Sequence, residues 1–249
     1  MGKARALNNS ERTNKYTATE EVDQLIEFDP VVKAAIIGIN VGPDRNGDGE
    51  ITISEALAYT GRIDIELPGV QSLKGLEQFK NISALRIASG DGNTLDANNT
   101  KLSLTAFPNM KTLDISNTTL EELEIKNFPK LTRISVVNGN LKNISIVEAT
   151  ELQELSLERN SLTALPATFF DGLTELTAIN LMGNDIVGEL NLTSIKGLES
   201  NAGKVQIMRK CETCNPKDRT NKRVTKIYVK DEAVDPLNNA EGASVYVSI

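Results

Sequence analysis

Apolar residues recur along most of the chain at a spacing that indicates an internal repeat. The clearest copy has apolar residues at positions i, i+3, i+5 and i+10 and an asparagine at i+8, namely Leu152, Leu155, Leu157, Leu162 and Asn160. The other copies start at Thr60, Ile82, Met110, Leu131, Leu176, Ala202 and Val224. Neighbouring starts lie 21 to 28 residues apart. Such a period is typical of a solenoid, because no single unit can bury its apolar face alone.

Each copy predicts one short strand. The alternation of apolar and polar residues around i+3 and i+5 fits a strand with one buried face, and an asparagine near i+8 can bond the backbone that turns away from it. Later apolar residues, such as Phe128 and Phe169, are expected to close the other side of each turn. Stacked copies would align eight strands into one parallel sheet about 40 Å long.

The pattern over residues 60–249 resembles the leucine-rich repeat family, most specifically in the four copies from 110 to 186. The resemblance implies an α/β fold: a leucine-rich-repeat solenoid with a curved parallel sheet of about eight turns. The longer spacings indicate insertions after Gly90 and near residues 188–200, and insertions in solenoids commonly lie on a rim where binding occurs.

A twelve-residue segment from Asp44 to Glu55 reads DRNGDGEITISE and matches the EF-hand calcium-loop pattern at every position. Calcium prefers six to eight oxygen ligands, which this spacing brings to one point. The expected ligands are the side chains of Asp44, Asn46, Asp48, Thr52 and Glu55 and the carbonyl of Glu50. Since only one such loop is visible, we expect a structural calcium ion, not a calcium sensor, and calcium is the only cofactor predicted.

A helical cap is predicted around this loop. Asp29 as N-cap and Pro30 at the first helical position begin an entering helix, and a short helix from Ser54 to Tyr59 follows the loop. The domain organisation is therefore a polar, disordered segment at 1–17, a helical EF-hand-like cap at 18–60 with its calcium loop at 44–55, and the solenoid at 60–249.

Composition excludes several functions. The chain has no histidine, which removes Ser-His-Asp and Cys-His catalysis and histidine-ligated zinc, and its formal charge of −7 argues against nucleic-acid binding. No apolar run approaches the 20 or so residues of a membrane span, and no secretory leader is visible at the start. Loops of extracellular modules bind calcium at about 10⁻⁴–10⁻³ M, which favours a secreted or cell-surface protein whose leader has been removed.

The order of a calcium loop followed by leucine-rich turns is similar to bacterial surface proteins of internalin-like architecture. This resemblance implies adhesion or ligand binding without naming the ligand. Side chains at i+2, i+4 and i+6 should face the concave side of the sheet. There we expect a contact surface for a protein or glycan ligand that includes Val137, Met182, Met208 and Tyr228.

The charge of the C-terminal residues and the two cysteines each allow two interpretations. Residues 201–249 contain nine Lys or Arg against six Asp or Glu, which either attracts an acidic partner or is a solvated surface. Cys211 and Cys214 are candidates for a local disulfide, with two free thiols as the alternative.

The sequence thus predicts a non-catalytic secreted or surface binding module. A glycan-processing hydrolase, with two carboxylates about 5–10 Å apart in a pocket, and a cytosolic interaction scaffold are the alternatives.

Overall fold

The computed structural model describes residues 23–66, 69–88, 99–207, 223–241 and 246–248. The predicted disordered segment 1–17 and the residues Met208, Cys211 and Cys214 lie outside these ranges. The described residues form thirteen strands and three α-helices, α1 (Pro30–Ile37), α2 (Ile53–Ala58) and α3 (Asp231–Glu241). None of these helices is long and apolar enough to cross a membrane.

Seven strands form the main sheet, which is parallel throughout. In spatial order they are β1 (Arg62–Ile65), β2 (Ala84–Ala88), β4 (Thr112–Ser116), β6 (Arg133–Val137), β8 (Glu154–Ser156), β9 (Ala178–Asn180) and β11 (Val205–Gln206). Each strand comes from one sequence repeat. The stacked, incomplete turns of the predicted solenoid are therefore confirmed for the first seven copies.

The eighth predicted strand is not part of this sheet. That copy forms β12 (Arg223–Val229), which lies between β10 (Val187–Asn191) and β13 (Tyr246–Ser248) in a separate three-stranded parallel sheet. The prediction of eight strands in one sheet was wrong, because alternating apolar residues specify a strand but do not name its neighbour.

A third sheet consists of β3 (Lys101–Thr105), β5 (Glu122–Lys126) and β7 (Asn143–Val147), again parallel. They follow β2, β4 and β6, respectively, along the chain, and they form a separate sheet on a second side of the solenoid. Their inward side chains, such as Leu123 and Ile125, are buried. We call this the back sheet.

Two buried asparagines fasten the turns that leave the main sheet. The Asn160 side chain accepts a hydrogen bond from the Leu141 N–H at 3.1 Å and donates to the carbonyl oxygens of Val136 at 2.7 Å and Leu157 at 3.0 Å. Asn184 bonds the next turn in the same way, accepting from the Leu162 N–H at 3.1 Å. The predicted role of the i+8 asparagine is confirmed at both positions.

The interior is filled by the repeat positions. Leu155, Ile134 and Ile179 are paired on adjacent strands and are at most 1% exposed. Phe107 and Phe128, one period apart, stack with ring centroids 5.1 Å apart and are fully buried. Burying consecutive repeats against one another supplies the apolar contact that no repeat has alone.

Residues 23–59 cover the β1 end of the main sheet. Asp29 is the N-cap of α1, as predicted, and Val32 and Ile36 of that helix are completely buried. The segment before the helix pairs with the end of the 44–55 loop, since the Ile26 N–H donates to the Ile51 carbonyl and the Ile53 N–H donates to the Gln24 carbonyl, both at 2.9 Å.

At the other end, α3 packs against β11, β13 and a 3₁₀ helix at Glu199–Lys204. Ala233 and Leu237 of α3 and Tyr246 of β13 are buried. Apolar elements therefore lie against both ends of the stack, as the exposed ends of a solenoid require.

Candidate functional site

The outward side of the main sheet is the broadest candidate surface. Its central row runs across all seven strands in register, as Asp64, Arg86, Asp114, Ser135, Ser156, Asn180 and Gln206. These are the side chains that the repeat predicts at i+4, while the flanking i+3 and i+5 residues point into the core. We call this surface the main-sheet face.

The β1 and β2 end of this face is charged and internally paired. The Arg62 Nε lies 2.7 Å from an Asp64 oxygen, and both terminal nitrogens of Arg86 lie 3.1 Å from the Glu66 carboxylate. The hydrogen bond from Arg86 lowers the pKa of Glu66 below its usual range, and the same bond raises the pKa of Arg86. These charges already have partners within the chain.

The middle of the face is less tightly paired. Arg133 of β6 lies between Asp114, at 3.4 Å, and Glu154, at 3.6 Å. Beyond it the central row becomes neutral, with serine, asparagine and glutamine side chains. Asn180 is fixed in place because its amide donates to Glu158 at 2.9 Å and its oxygen accepts the Met182 N–H at 3.0 Å.

A shallow depression of about 160 Å³ lies in this neutral region. It is lined by the charged residues Arg133, Glu154 and Lys204, by the small and polar residues Ser156, Ala178 and Asn180, and by the buried residues Ile134, Leu155 and Ile179. The strand register explains it: Arg133 pairs with Glu154 and Glu154 with Ala178, and Lys204 is the next residue outward, since Val205 pairs with Ile179. A methyl side chain therefore stands between two long charged ones.

The predicted contact residues do not form one cluster. Val137, the last residue of β6, is half-buried on the main-sheet face beside Ser116. Met182 was expected to be exposed but is only 9% exposed, because β9 ends at Asn180 and Met182 lies in the turn that Asn184 fastens. Met208 lies outside the described residues.

The prediction that Tyr228 lies on the main-sheet face was also wrong. It belongs to β12, where it pairs with Asn191, and its hydroxyl donates to Glu189 of the neighbouring strand at 2.9 Å. Because β12 and the main-sheet strands are in separate sheets, the predicted contact cluster of Met182, Met208 and Tyr228 was wrong in its placement of Tyr228.

The 44–55 loop is organised by its own carboxylates. Asp44 accepts the N–H groups of Gly47 at 2.8 Å and Gly49 at 3.1 Å, and both glycines have positive φ. Asp48 accepts the Glu50 N–H at 2.8 Å, and its other oxygen accepts from the Asn46 amide at 3.0 Å. The side chains at loop positions one, three and five are thus folded back over the loop.

Glu55 joins the two ends of the loop. One oxygen accepts the Arg45 N–H at 3.3 Å, and the other accepts the N–H of Thr52 at 3.0 Å and its hydroxyl at 3.1 Å. Thr52 and Glu55 form a capping box at the start of α2. The Glu50 carboxylate pairs with Lys33 of α1 at 2.6 Å, while the ligand predicted from this residue is its carbonyl.

Every side chain predicted to bind calcium offers an oxygen ligand, which is the kind of ligand that this hard cation prefers. In the described ranges, no three acidic, cysteine or histidine side chains are already gathered as a metal-binding group. The loop therefore has the right donor chemistry, with its carboxylates engaged by backbone N–H groups.

Another acidic pair lines a cavity of about 150 Å³ at the back sheet, where Glu122 and Glu124 lie beside Leu165 and Pro166. Both carboxylates contact the Lys101 ammonium, at 3.5 and 3.0 Å. The hydrogen bond from Lys101 lowers the pKa of Glu124, so this carboxyl stays ionised at neutral pH. A general acid needs the opposite shift, towards a higher pKa.

Comparison with known proteins gives two matching families. Residues 51–156 match a family described as the leucine-rich repeat domain of the endo-β-N-acetylglucosaminidase EndoS, and residues 129–186 and 150–200 match a general leucine-rich repeat family. No curated protein matches the chain. Together with the parallel solenoid of the main sheet, these matches show that residues 51–200 are built of leucine-rich repeats.

Proposed function

We propose that this protein is a non-catalytic binding module that recognises a protein ligand through the main-sheet face. The main support for this proposal is the uninterrupted row of outward side chains from Asp64 to Gln206, which is in register over seven strands. Leucine-rich repeat families support such a role. Six inter-strand spacings and the five residues of its longest strands give this face a maximum size of about 29 by 16 Å.

This size indicates the strength of binding. A footprint near 500 Å² on each partner corresponds to about 1,000 Å² in total, which is at the low end for specific complexes. The paired charges of Arg62, Asp64, Glu66 and Arg86 would set the orientation of a partner more than its affinity. We therefore propose transient recognition of a polar protein surface.

A matched pair of substitutions tests the surface. Ser135→Arg puts a long charged side chain at the centre of the main-sheet face, and Ser145→Arg puts the same group on the exposed side of the back sheet. Extracellular material is captured on the wild type and on both variants, and recovered proteins are quantified by mass spectrometry. A partner lost about tenfold with Ser135→Arg and retained with Ser145→Arg supports the proposal, whereas the reverse pattern contradicts it.

We further propose that the loop at 44–55 holds one structural calcium ion, bound by Asp44, Asn46, Asp48, Thr52, Glu55 and the Glu50 carbonyl. The ion would neutralise the loop's carboxylates and tie the first residues of α2 to the loop entrance. The oxygen atoms of these residues support calcium as the ion. The ion pair between Lys33 and Glu50 connects the loop to α1. Structural calcium loops of extracellular modules bind at about 10⁻⁴–10⁻³ M, and the proposal therefore includes a secreted or cell-surface location.

The alternative function involves glycans. It is favoured by the match to a leucine-rich repeat domain of an endo-β-N-acetylglucosaminidase. In that case the main-sheet face would bind a glycan, or Glu122 and Glu124 would act on one. Incubation with an N-glycosylated protein, using Glu124→Gln as the control, separates these functions: glycan release that disappears in the variant indicates a hydrolase, and release by neither protein supports a binding module.

A further inference from the structure

Along the last four copies of the main sheet, the row of long side chains at the strand starts is interrupted at Ala178. In register, this row runs Arg133, Glu154, Ala178 and Lys204. Glu154 turns toward Arg133, which it contacts at 3.6 Å. The place where a fourth long side chain would continue the row is instead the depression of about 160 Å³ described above.

Lys204 differs from the other cations of this face. Arg62, Arg86 and Arg133 each contact a carboxylate within 3.6 Å. Lys204 lines the depression, and within the described part of the chain no carboxylate lies within ion-pair distance of its ammonium group. Among the described residues of this face, Lys204 is therefore a positive charge beside the depression, whereas the arginines have carboxylate partners.

We propose that this depression receives an acidic side chain of the protein partner, which pairs with Lys204 and is seated over Ala178. This inference rests on the proposed function of the main-sheet face. Ser156 also lines the depression, and its hydroxyl can donate a hydrogen bond to the incoming carboxylate. Asn180 is not assigned this role, because its amide already donates to Glu158 and its oxygen already accepts the Met182 N–H.

The size of the depression favours a partner's side chain as the bound group, instead of a free small molecule. A volume of 160 Å³ is well below the roughly 300–1,000 Å³ of usual small-molecule sites. A carboxylate on a short stem fits this space. A neutral group would fill it but leave the Lys204 charge without a partner under the interface, which is costly.

The probe is a capped hexapeptide with two central glutamates, and its control carries glutamines at the same places. Both are titrated into the isotope-labelled full chain at low salt, with backbone amide signals followed by NMR. We expect the acidic peptide to shift the signals of Ser156, Ala178, Asn180 and Lys204. Equal shifts with the glutamine peptide, or shifts confined to other basic residues, would overturn the inference.

Three variants sharpen the result. Lys204→Gln should weaken the acidic peptide about fivefold, the upper range for one exposed ion pair. Lys196→Gln is the matched control, because Lys196 already pairs with Glu175 at 3.1 Å and does not line the depression. Ala178→Leu should fill the space and abolish the shifts while the rest of the spectrum is unchanged. Binding by Lys204→Gln at wild-type strength refutes the inference.

The two proposals fail in different ways. If Ser135→Arg removes a captured partner but Lys204→Gln changes neither that partner nor the peptide titration, the binding face stands and the acidic subsite is wrong. If Ser135→Arg leaves every captured partner in place, the proposed function is wrong whatever the peptide does.

Discussion

The carboxylate of Asp29 accepts the backbone N–H of Gln71 at 2.9 Å, across 42 residues of sequence. The same oxygen accepts the Ser72 N–H at 3.2 Å, while the other oxygen caps α1 through Val31 and Val32. Asp29 is only 9% exposed. One buried carboxylate therefore satisfies backbone donors of both the N-terminal cap and the first repeat, and joins them.

Replacing Asp29 by Asn separates these two roles. Asparagine is as good an N-cap as aspartate, but its amide nitrogen would face the N–H groups of Gln71 and Ser72. We expect Asp29→Asn to cost about 1–3 kcal/mol, since buried donors lose their acceptor. Urea unfolding measures this loss. Asp23→Asn, at an exposed position, serves as the control, and a loss at Asp29 no larger than at Asp23 would contradict this role.

Asn160 makes the corresponding link inside the solenoid. Asn160→Ala removes the acceptor of the Leu141 N–H and the donor to the Val136 carbonyl in a fully packed turn. We predict a loss of about 2–4 kcal/mol in the free energy of unfolding. Asn143→Ala, on the exposed side of the back sheet, should change it by less than about 0.5 kcal/mol. Similar losses in both variants would show that the turn does not depend on this side chain.

The same repeat position carries Gly139 one turn earlier, where the repeat pattern would favour asparagine. A Cβ at Gly139 would lie 2.9 Å from the Asn160 oxygen and 3.1 Å from the Thr118 carbonyl. Gly139→Asn should therefore destabilise the protein, by about 1–3 kcal/mol, although it restores the pattern.

A double-mutant cycle with Asn160→Ala identifies the cause of this loss. The cost of Gly139→Asn should shrink when the Asn160 side chain is absent, because the crowded atom is then gone. Stabilisation by Gly139→Asn alone, or an unchanged cost in the double variant, would rule out the steric explanation.

Much of the solenoid is readable from sequence because its period is local. The i+3 and i+5 residues specify seven main-sheet strands, and Asn160 and Asn184 occupy the turns assigned to them. The back sheet was missed, although Leu123 and Ile125 recur as Ile144 and Ile146 one period later. That second alternation was the available signal.

The errors concern long-range pairing. Tyr228 has the alternation of a main-sheet strand, but its neighbour is Asn191 of β10, a partner that no local pattern specifies. The depression at Ala178 differs, because Arg133, Glu154, Ala178 and Lys204 are the i+2 residues of four consecutive copies and their order follows from the repeat, which does not specify pairings outside it. The Asp29 bond to Gln71 was invisible for the same reason, since only the N-cap role is encoded nearby.

Calcium should stabilise the protein by an amount that Glu55 controls. At a calcium concentration about ten times Kd, linkage predicts about 1.4 kcal/mol, or about 3–6 °C in Tm for a chain of this size. Glu55→Gln should abolish this increment, measured by calorimetry with calcium and with chelator. Asp44→Ala is a poorer variant, since it also removes the acceptor of Gly47 and Gly49 and lowers Tm in chelator.

Glu50→Gln is the matched control for this experiment. Its carboxylate pairs with Lys33, and only its carbonyl is a proposed ligand. The calcium increment should therefore persist in Glu50→Gln. Equal Tm values with calcium and chelator in the wild type would remove the calcium proposal and, with it, the main support for a secreted location.

We expect the ion pair formed by Arg86 and Glu66 to weaken in acid. The hydrogen bond from Arg86 depresses the pKa of Glu66 in the folded chain. A depressed carboxyl pKa contributes stability above the unfolded-state value, and this contribution is lost as pH falls through the folded-state value. Arg86→Gln should return the pKa of Glu66 toward its ordinary range, while the pKa of Glu124, lowered by Lys101, should stay the same. Carboxyl carbon shifts in an NMR pH titration report both groups, and an unchanged Glu66 titration in the variant would show that Arg86 does not set its charge.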